Sequence, residues 1–383
     1  MIQVVPNTGI LAEQLRERIK SRGPITFYEW MRAALYDPAE GYYRKPERTI
    51  WGREGDYRTS PERSDLFAAT FARYFADLYL RLDSPRSLSL VEVGGGPGQF
   101  AFVVLQTLQS YFPSVFGVTR YIFDEVSEPA QSSARERLRP FANCVEFSSI
   151  DDLEVDPGIV FSNELLDAFP VHRVMLVEGK LCEYYVTLGF EGQFEWLIGP
   201  VSMSGLHDYL KRHDIRLREG QLAEVNLEAE QWLERVAAKL RRGYLITVDY
   251  GAEAIELYSS GERYQGTLRG FQRHELVENV LNSPGDSDLT TTVNWTAIRA
   301  TGQSQGLTTV EFARQDKFLR DAGLLDQLAL QSESASEAER IRLSTAAREM
   351  ILPNGMAASF QVLVQEKGLD IESSGTIEHD ARL

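Results

Sequence analysis

Residues 89–101 read SLVEVGGGPGQFA, and this stretch decides the fold. An apolar run reaches Glu92, and four glycines then follow within a few residues, interrupted by Pro97. The next residues, FAFVVLQTLQSYF, have the apolar content of a buried helix. Glycine permits positive φ and close approach of a ligand to the backbone, and a helix N-terminus presents unpaired N–H groups. The stretch therefore predicts a strand, a glycine loop and a helix that together hold an anion, either a pyrophosphate or a carboxylate.

The spacing of these glycines favours one class of nucleotide-binding loop over another. Dinucleotide-binding folds use G-x-G-x-x-G, whereas Glu92 here begins an E-x-G-x-G-x-G pattern with glycines at 94, 96 and 98. That pattern is similar to the loop of class I S-adenosylmethionine methyltransferases. Taken alone it is moderately specific, because a glycine turn with a purely structural role has the same composition.

Strands and helices alternate after residue 87, which predicts the fold class. SLSLVEV, RYIFDEV, CVEFSSI, GIVFSNE and GYLITVDYG read as strands, with helical segments between most of them, and GMAASFQVLVQEK supplies a last strand. Continuous apolar runs are typical of parallel strands buried on both faces. The sequence therefore predicts an α/β protein with a Rossmann-like class I methyltransferase sheet and helices on both faces. An N-terminal helical region and inserted substrate-covering segments are added to it.

Two acids end the second strand of this sheet. An acid at that position accepts hydrogen bonds from ribose hydroxyls in many nucleotide folds. Asp124 and Glu125 are adjacent, and side chains alternate along a strand, so only one of them can face the ligand. We expect Glu125 to be that residue. After the third strand, Ile150 and Asp151 are placed to border an adenine, although a plain polar loop explains them equally well.

The fourth strand ends in polar residues where a parallel sheet opens. Asn163 and Glu164 interrupt the apolar run IVFSNELLDAFPVHRV, and Asp167 follows one turn later. Two carboxylates beside a cofactor carry an energetic cost unless they hold a group, and a guanidinium matches their geometry. The alternative is that Asp167 caps a short helix and Glu164 pairs locally. His172 reads more readily as a satisfied histidine than as a proton acceptor.

Composition excludes several function classes. Lys and Arg number 40 against 56 acids, a net charge of −16, which disfavours nucleic-acid binding. The two cysteines form no disulfide framework or metal spacing, and the five histidines indicate no metal site. No stretch is long and apolar enough to span a membrane, and the first residues lack a targeting pattern. We expect a cytoplasmic protein without a metal.

Seven ordered blocks give a stronger signal than the glycine loop. GPITFYEWMRAALYDPAEGYY, GDYRTSPERSDLF, VEVGGGPGQF, SNELLDAFPVHRV, GYLITVDYG, TLRGFQRH and PGDSDLTTTVNW occur in this order. They resemble the corresponding blocks of the MidA-like class I methyltransferases, a family whose mitochondrial member is a complex I assembly factor that methylates arginine. The resemblance covers most of the chain.

The resemblance implies S-adenosylmethionine as cofactor and a protein substrate that contains arginine, such as a respiratory complex I subunit. It assigns cofactor or nearby contacts to Thr59, Ser60, Pro61, Glu92, Gly94, Gly96, Gly98, Glu125 and Asn163. Glu164 and Asp167 would border the reacting centre. His274, in a Gly/Pro-rich segment that reads as a substrate-covering loop, is our candidate for the base that takes the proton late in the reaction. The oligomeric state is not readable from the sequence.

The glycine loop departs from the pattern of the family. Gly95 stands where proline is usual, Pro97 where arginine is usual, and Gln99 where threonine is usual. These departures keep an alternative open, a non-catalytic assembly protein that retains the fold. A methyltransferase for a small molecule is also compatible with the sequence, whereas an NAD-dependent oxidoreductase is disfavoured by the glycine spacing.

The expected domain organisation follows from these blocks. Residues 1–85 form a helical and loop region that contributes to the active site, and residues 86–255 form the cofactor-binding core with an insertion at about 174–242. A substrate-covering segment spans 256–300, a part completing the sheet spans 301–366, and residues 367–383 form a tail.

Overall fold

The computed structural model of this protein describes residues 9–45, 65–259, 261–272, 275–333, 335–352 and 359–369. The helices are α1 Ile10–Arg22, α2 Phe27–Tyr36, α3 Asp65–Arg81, α4 Gln99–Tyr111, α5 Pro113–Phe116, α6 Glu128–Arg137, α7 Gly205–Arg212, α8 Leu227–Lys239, α9 Ala254–Ser259, α10 Trp295–Ser304, α11 Gln315–Asp321, α12 Leu324–Glu333 and α13 Glu337–Ile351. Short 3₁₀ turns lie at Arg139–Phe141 and Ile150–Asp152.

The strands are β1 Ile25–Thr26, β2 Leu88–Val93, β3 Thr119–Asp124, β4 Val145–Phe147, β5 Gly158–Asn163, β6 His172–Val177, β7 Lys180–Leu188, β8 Phe194–Pro200, β9 Leu222–Val225, β10 Gly243–Ala252, β11 Arg269–Gln272, β12 Glu275–Leu276, β13 Asp288–Thr290, β14 Val293–Asn294, β15 Thr308–Arg314 and β16 Phe360–Lys367. No helix in the described part of the chain has the length and apolar character needed to cross a membrane.

The chain divides into two compact units, each drawn from three separate stretches. The core unit comprises Arg58–Leu165, Leu233–Gly251 and Arg299–Leu383. The second unit comprises Met1–Tyr57, Leu166–Trp232 and Ala252–Ile298.

The core unit contains the predicted α/β sheet. Its strand order is β15-β16-β10-β5-β2-β3-β4. Strands β4, β3, β2, β5 and β10 run parallel, while β16 is antiparallel to both β10 and β15. From β2 the chain proceeds outward through β3 and β4, then crosses to the other side of β2 to form β5. In such sheets ligands bind at this switch point, beyond the carboxyl ends of the strands.

One face of this sheet is packed with aromatic rings. Phe100, in the first turn of α4, stacks on Phe161 of β5 with ring centroids 4.3 Å apart and an interplanar angle of 3°. Phe71 and Phe75 of α3 contact the same two rings. All four side chains are buried. This packing fixes the start of α4, and with it the end of the glycine loop, against the sheet.

The second unit is built around an antiparallel sheet and the N-terminal helices. Its larger sheet has the order β1-β7-β6-β9, with β8 paired to β7, and a three-stranded sheet has the order β12-β11-β13. Strands β6 and β7 form an antiparallel hairpin in this unit. Thr26 caps α2, since its side chain accepts from the Glu29 amide and the Glu29 carboxylate accepts from the Thr26 amide.

Two buried polar contacts lie within the second unit. Nδ1 of His172 lies 2.7 Å from the carboxylate of Glu183, and the ring of Tyr28 stacks on the imidazole. Arg173 donates to Glu224 at 3.1 Å, and its guanidinium lies over the Trp196 ring. His172 is therefore satisfied within the second unit, which agrees with the structural interpretation preferred from the sequence.

Candidate functional site

The glycine loop joins β2 to α4 and has a left-handed backbone at three positions. Gly94, Gly96 and Gly98 have φ values of 73°, 55° and 77°. Such angles favour glycine because a Cβ collides with the backbone there. A Cβ on Gly98 would also lie 3.0 Å from Cβ of Ala134 on α6. These glycines therefore allow the sharp turn and the close packing of α6 that bring the N-terminus of α4 to the end of β2.

The three residues that depart from the family pattern each have a structural contact here. A Cβ on Gly95 would lie 2.4 Å from the ring of Phe123, which explains the absence of a side chain. The carbonyl of Pro97 accepts from Arg137 at 2.8 Å. Gln99 donates to Asp65 at the start of α3 at 2.9 Å. The loop is thus in contact with residues of α3, α6 and β3.

Glu125 follows β3 and turns its carboxylate toward the glycine loop. Oε2 accepts from the Gly96 amide at 2.8 Å, and Oε1 accepts from the Ser127 amide at 2.7 Å. Burial raises the pKa of Glu125 to about 7, although these amide bonds act in the opposite direction. The acid chosen from the sequence is therefore in direct contact with the loop.

Glu92 lies at the end of β2 and is only 5% exposed. Its Oε2 accepts from the hydroxyl of Tyr121 at 2.8 Å. Burial raises the pKa of Glu92 to about 8; the Tyr121 hydrogen bond lowers it and the charge of Glu125 raises it. A carboxyl group with this pKa is mostly protonated at neutral pH, and a nearby cation favours its ionised form.

Asp124 and the adenine candidates have other partners. Oδ2 of Asp124 accepts from the Ile150 amide at 2.8 Å, whereas Glu125 contacts the glycine loop. Burial raises the pKa of Asp124, against the opposing effect of that amide bond. The side chain of Ile150 is buried, and Asp151 pairs with Arg235 at 3.7 Å. The roles of Ile150 and Asp151 beside an adenine stay predictions.

Strand β5 ends at Asn163, and Glu164, the next residue, has a backbone conformation that is rare for its residue type. Glu164 has a φ of 51°, in the left-handed region, and its amide donates to the carbonyl of Val248 on β10. The amide nitrogen of Asn163 donates to Oε1 of Glu164 at 3.1 Å. A carboxylate accepts and does not donate, so this contact fixes the orientation of the amide. Oδ1 of Asn163 is then left buried, with no hydrogen-bond partner in the described structure.

One of the remaining predicted residues belongs to the second unit, and the others lie outside the described residues. Asp167 is buried and belongs to the second unit, where its carbonyl accepts from the Thr291 amide at 2.9 Å. Thr59, Ser60 and Pro61, as well as His274, lie outside the described residues. The part of the chain that the structure describes contains no cluster of three or more His, Cys, Asp or Glu side chains suited to a metal ion.

Sequence reasoning missed two residues that shape the site. Tyr121 supplies the hydroxyl that contacts Glu92, and Arg137 fixes the loop through Pro97. The sequence does carry a signal for Tyr121, because it lies two residues before Phe123 on β3, the strand beside β2. Side chains alternate along a strand, so Tyr121 and Phe123 point to the same face, and Phe123 pairs with Glu92. No comparable signal exists for Arg137, whose contact depends on how α6 packs.

The described residues fit S-adenosylmethionine. A left-handed glycine loop at the N-terminus of α4 suits its carboxylate. Glu125 offers acceptors for ribose hydroxyls, and Glu92 offers an acceptor for the ammonium. The orphaned Oδ1 of Asn163 is a further buried acceptor at the same edge of the sheet. All four features belong to the core unit.

Comparisons with known proteins agree with this chemistry. A family of S-adenosyl-L-methionine-dependent methyltransferases matches residues 70–313. The protein arginine methyltransferase NDUFAF7 homolog of Drosophila melanogaster is 29% identical over 326 residues, which cover 78% of this chain and 71% of that protein. The protein arginine methyltransferase NDUFAF7 of Homo sapiens is 26% identical over 358 residues, covering 87% of this chain and 77% of that protein.

A solved structure resembles the whole chain. A protein of Burkholderia thailandensis, crystallised with S-adenosyl-homocysteine, superposes with a TM-score of 0.83 at 28% identity, over 96% of each chain. S-adenosyl-homocysteine is what remains of the cofactor after its methyl group has been transferred. The fold, the glycine loop with its acids and the family match over more than half of the chain lead to one conclusion. The chain belongs to this family of S-adenosyl-L-methionine-dependent methyltransferases.

Proposed function

We propose that this methyltransferase transfers its methyl group to the side chain of an arginine in a protein. The observation that carries the proposal is the carboxylate of Glu164, held beside Asn163 where β5 ends. Glu164 keeps a left-handed backbone although it is not glycine. Strained residues of this kind persist when the surroundings impose them, and they cluster at functional sites. A fixed carboxylate beside an amide acceptor suits a cationic, hydrogen-bond-donating group, and a guanidinium is such a group.

The names of the relatives support the same acceptor. Those of Drosophila melanogaster and Homo sapiens are both protein arginine methyltransferases. The sequence blocks that resemble the MidA-like family make a respiratory complex I subunit the first acceptor to test. The free cysteines Cys144 and Cys182 are compatible with a reducing compartment, and we propose that the protein works in the cytoplasm.

An arginine acceptor sets a clear task for the protein. Its guanidinium stays protonated at neutral pH, with a pKa above about 12, and its nitrogens are poor nucleophiles in that state. A carboxylate that binds one edge of the guanidinium draws positive charge toward itself and leaves the opposite nitrogen more nucleophilic. Glu164 has this role in our proposal. The proton leaves after the new N–C bond forms, when the nitrogen has become acidic.

The other residues of the site bind and orient the cofactor. When bound, the cofactor supplies a methyl group on a sulfonium. Gly94, Gly96 and Gly98 hold its carboxylate, Glu125 its ribose and Glu92 its ammonium in this proposal. Alignment of two reactants accounts for about 7–11 kcal/mol of the barrier at best, so much of the rate is expected from such positioning. Asp167 as a second carboxylate and His274 as the late base stay predictions.

Transfer of a labelled methyl group tests the acceptor. The purified protein is incubated with S-adenosylmethionine carrying a tritiated methyl group and with lysate of the source cells. Labelled proteins are separated and hydrolysed to amino acids. We expect the label in methylarginine, in a protein band that a complex I antibody or mass spectrometry identifies. A Glu164→Gln variant is the control for activity of the site, and a boiled enzyme is the control for background.

Other outcomes identify other functions. Label in methyllysine or another amino acid would overturn the arginine assignment while leaving protein methylation in place. Label confined to the small-molecule fraction would favour a small-molecule acceptor. No transfer, despite cofactor binding measured by calorimetry, would favour the assembly-protein alternative.

A further inference from the structure

Strand β8 forms an open, apolar edge of the larger sheet in the second unit. It pairs with β7 along its whole length, and within the described residues it pairs with no other strand. The side chains of Leu197 and Ile198 are 41% and 45% exposed. Adjacent residues of a strand point to opposite faces of the sheet. Exposure of both therefore indicates that the outer edge of β8 is open to solvent on both faces.

Further exposed apolar side chains lie at the two ends of this strand. Phe190, in the turn before β8, is fully exposed, and Met203, shortly after β8, is 45% exposed. Of the 13 large apolar side chains that are exposed in the described part of the chain, four lie within residues 190–203. Such a concentration marks a surface that binds another apolar surface. We call Phe190, Leu197, Ile198 and Met203 the edge patch.

The edge has few of the features that keep natural sheets from pairing with one another. Natural edge strands are short, or they carry lysine, an internal proline or a bulge. Strand β8 is seven residues long, contains no lysine or arginine, and has Glu195 as its one charged residue. Its one proline, Pro200, is the last residue of the strand, and the register with β7 has no bulge. The strand is therefore able to accept another strand at its outer edge.

We propose that this edge pairs with the same edge of a second copy of the chain, in a dimer whose two β8 strands run antiparallel about a two-fold axis at Leu197. An interface between identical surfaces must be self-complementary. In this register Leu197 lies opposite Leu197 of the second copy, Trp196 lies opposite Ile198, and Glu195 lies opposite Gly199. The one charge of the strand therefore meets neither a like charge nor an apolar side chain.

Neighbouring registers fit less well. An axis at Glu195 places two carboxylates directly opposite each other, which destabilises a strand pair. An axis at Trp196 places Glu195 opposite Leu197, and an axis at Ile198 places it opposite Val201. The charge of Glu195 therefore favours the axis at Leu197.

The ends of the edge patch fit the same register. Counting outward from Leu197, residue 190 of one copy is level with residue 204 of the other. The exposed Phe190 of each copy then comes near the exposed Met203 of the second copy. All four members of the edge patch are covered in one interface. A strand of another protein could fit the edge without this self-matching, which is why we assign the edge to a second copy.

The mass of the protein in solution tests the proposal. Light scattering during size-exclusion chromatography, over a dilution series, should give a wild-type mass that approaches twice 43.3 kDa. Each copy carries a net charge of −16, so salt should screen the repulsion between copies and tighten the dimer. A wild type that is monomeric at every concentration and salt would overturn the proposal and favour a strand of another protein as the occupant.

A charged variant locates the interface. Leu197→Lys places two ammonium groups face to face at the axis, and we expect the dissociation constant of the dimer to rise at least about tenfold. Ile255→Lys is the matched control, because Ile255 is an exposed apolar residue of α9 in the same unit and lies outside the edge patch. It should dimerise as wild type does. Equal dissociation constants for Leu197→Lys and wild type would overturn the proposal.

Cysteine cross-linking tests the register and does not depend on the folding of the lysine variant. Cys144 and Cys182 are first replaced by serine. Leu197→Cys should then form a disulfide-linked dimer on mild oxidation, because directly opposite residues of antiparallel strands have Cα atoms about 4.5–5.5 Å apart. Glu195→Cys is the control, since its two copies lie about 14 Å apart along the strands, too far for a disulfide. Absence of the cross-link in Leu197→Cys, or an equal cross-link in Glu195→Cys, would overturn the proposed register. The proposal concerns a surface of the second unit and does not depend on the methyl acceptor.

Discussion

The backbone amide of Gly96 lies 2.8 Å from Oε2 of Glu125. This carboxylate therefore contacts the glycine loop, and it is also the acid that we predict to bind the ribose. Loop and acid are coupled through this bond, so a change at either position affects both the shape of the loop and its affinity for ligand.

Glu125→Ala should weaken cofactor binding. The substitution removes the acceptor for ribose hydroxyls and also leaves the Gly96 and Ser127 amides without their partner. We expect a loss of about 1–3 kcal/mol in binding free energy, measured by calorimetry with S-adenosyl-homocysteine. Glu146→Ala, on the neighbouring strand, should leave the affinity unchanged, and an unchanged affinity in Glu125→Ala would remove this acid from the site.

Gly98→Ala should destabilise the core unit through two effects that a control can separate. Gly98 has a φ of 77°, and its Cβ would lie 3.0 Å from Cβ of Ala134. Gly179 has a φ of 72° in the β6–β7 turn, where a Cβ would meet no atom within 4 Å. Gly179→Ala should lose about 1 kcal/mol of unfolding free energy, from the backbone alone. Gly98→Ala should lose more unfolding free energy than Gly179→Ala, as measured by urea denaturation. Equal losses would show that α6 moves to make room for the new methyl group.

Glu92→Gln should change how stability depends on pH. Burial raises the pKa of Glu92 from 4.5 to about 8, so the folded protein binds a proton that the unfolded chain releases in this range. Stability should therefore fall as pH rises from about 5 to 8, by up to about 5 kcal/mol from this group. In the glutamine variant, denaturant unfolding of the ligand-free protein should show a smaller fall. A steeper fall than in wild type would contradict the assignment.

Glu164→Gln should separate binding from turnover. Its side-chain oxygen still accepts from Asn163, so the local structure should persist. The lost charge should abolish polarisation of a guanidinium, and we expect methyl transfer to fall by at least tenfold, about 1.4 kcal/mol in activation free energy. Affinity for S-adenosyl-homocysteine should stay within about twofold, less than 0.5 kcal/mol. Loss of cofactor binding would show that Glu164 holds the cofactor instead.

Glu183→Ala should destabilise the second unit. Burial of Glu183 raises its pKa, but the bonds from His172 and Ser202 outweigh burial and hold the pKa below its ordinary value. The contribution of this carboxylate to folding stability is therefore fully present above its ordinary pKa. It is lost as the pH falls through the lowered pKa of the folded protein. We expect about 1–3 kcal/mol of destabilisation near pH 7, with a smaller difference in acid. Thermal unfolding of both variants measures the difference. Glu195→Ala, on the exposed part of β8, should have little effect in that experiment.

The sequence predicts those parts of the core unit that depend on residues close together in the chain. The apolar run before Glu92 and the glycines after it predicted β2, the loop and α4, because each property depends on neighbours in the chain. Alternation along β3 indicates that only one of Asp124 and Glu125 faces the ligand, and Glu125 is our choice. In the structure the two acids have different partners: Glu125 accepts from the Gly96 amide and Asp124 from the Ile150 amide.

Long-range contacts could not be predicted in the same way. The pairing of His172 with Glu183 depends on the register of β6 and β7, and the pairing of Arg173 with Glu224 depends on β9 lying beside β6. The left-handed backbone of Glu164 gave no signal, since no glycine or asparagine marks that position. Each of these depends on which strands become neighbours, which one sequence does not reveal.

The way the two units share the chain has a consequence for its synthesis. Ile25 of β1 pairs with Val186 of β7, and the core unit needs Arg299–Leu383 to complete its sheet. On the ribosome the N-terminal segments emerge first, so the opening helices wait for partners made much later. A nascent chain released before its last third exposes the apolar surfaces of both units at once. The second unit is complete only when Ala252–Ile298 has been made, and the core unit only when Arg299–Leu383 has been made.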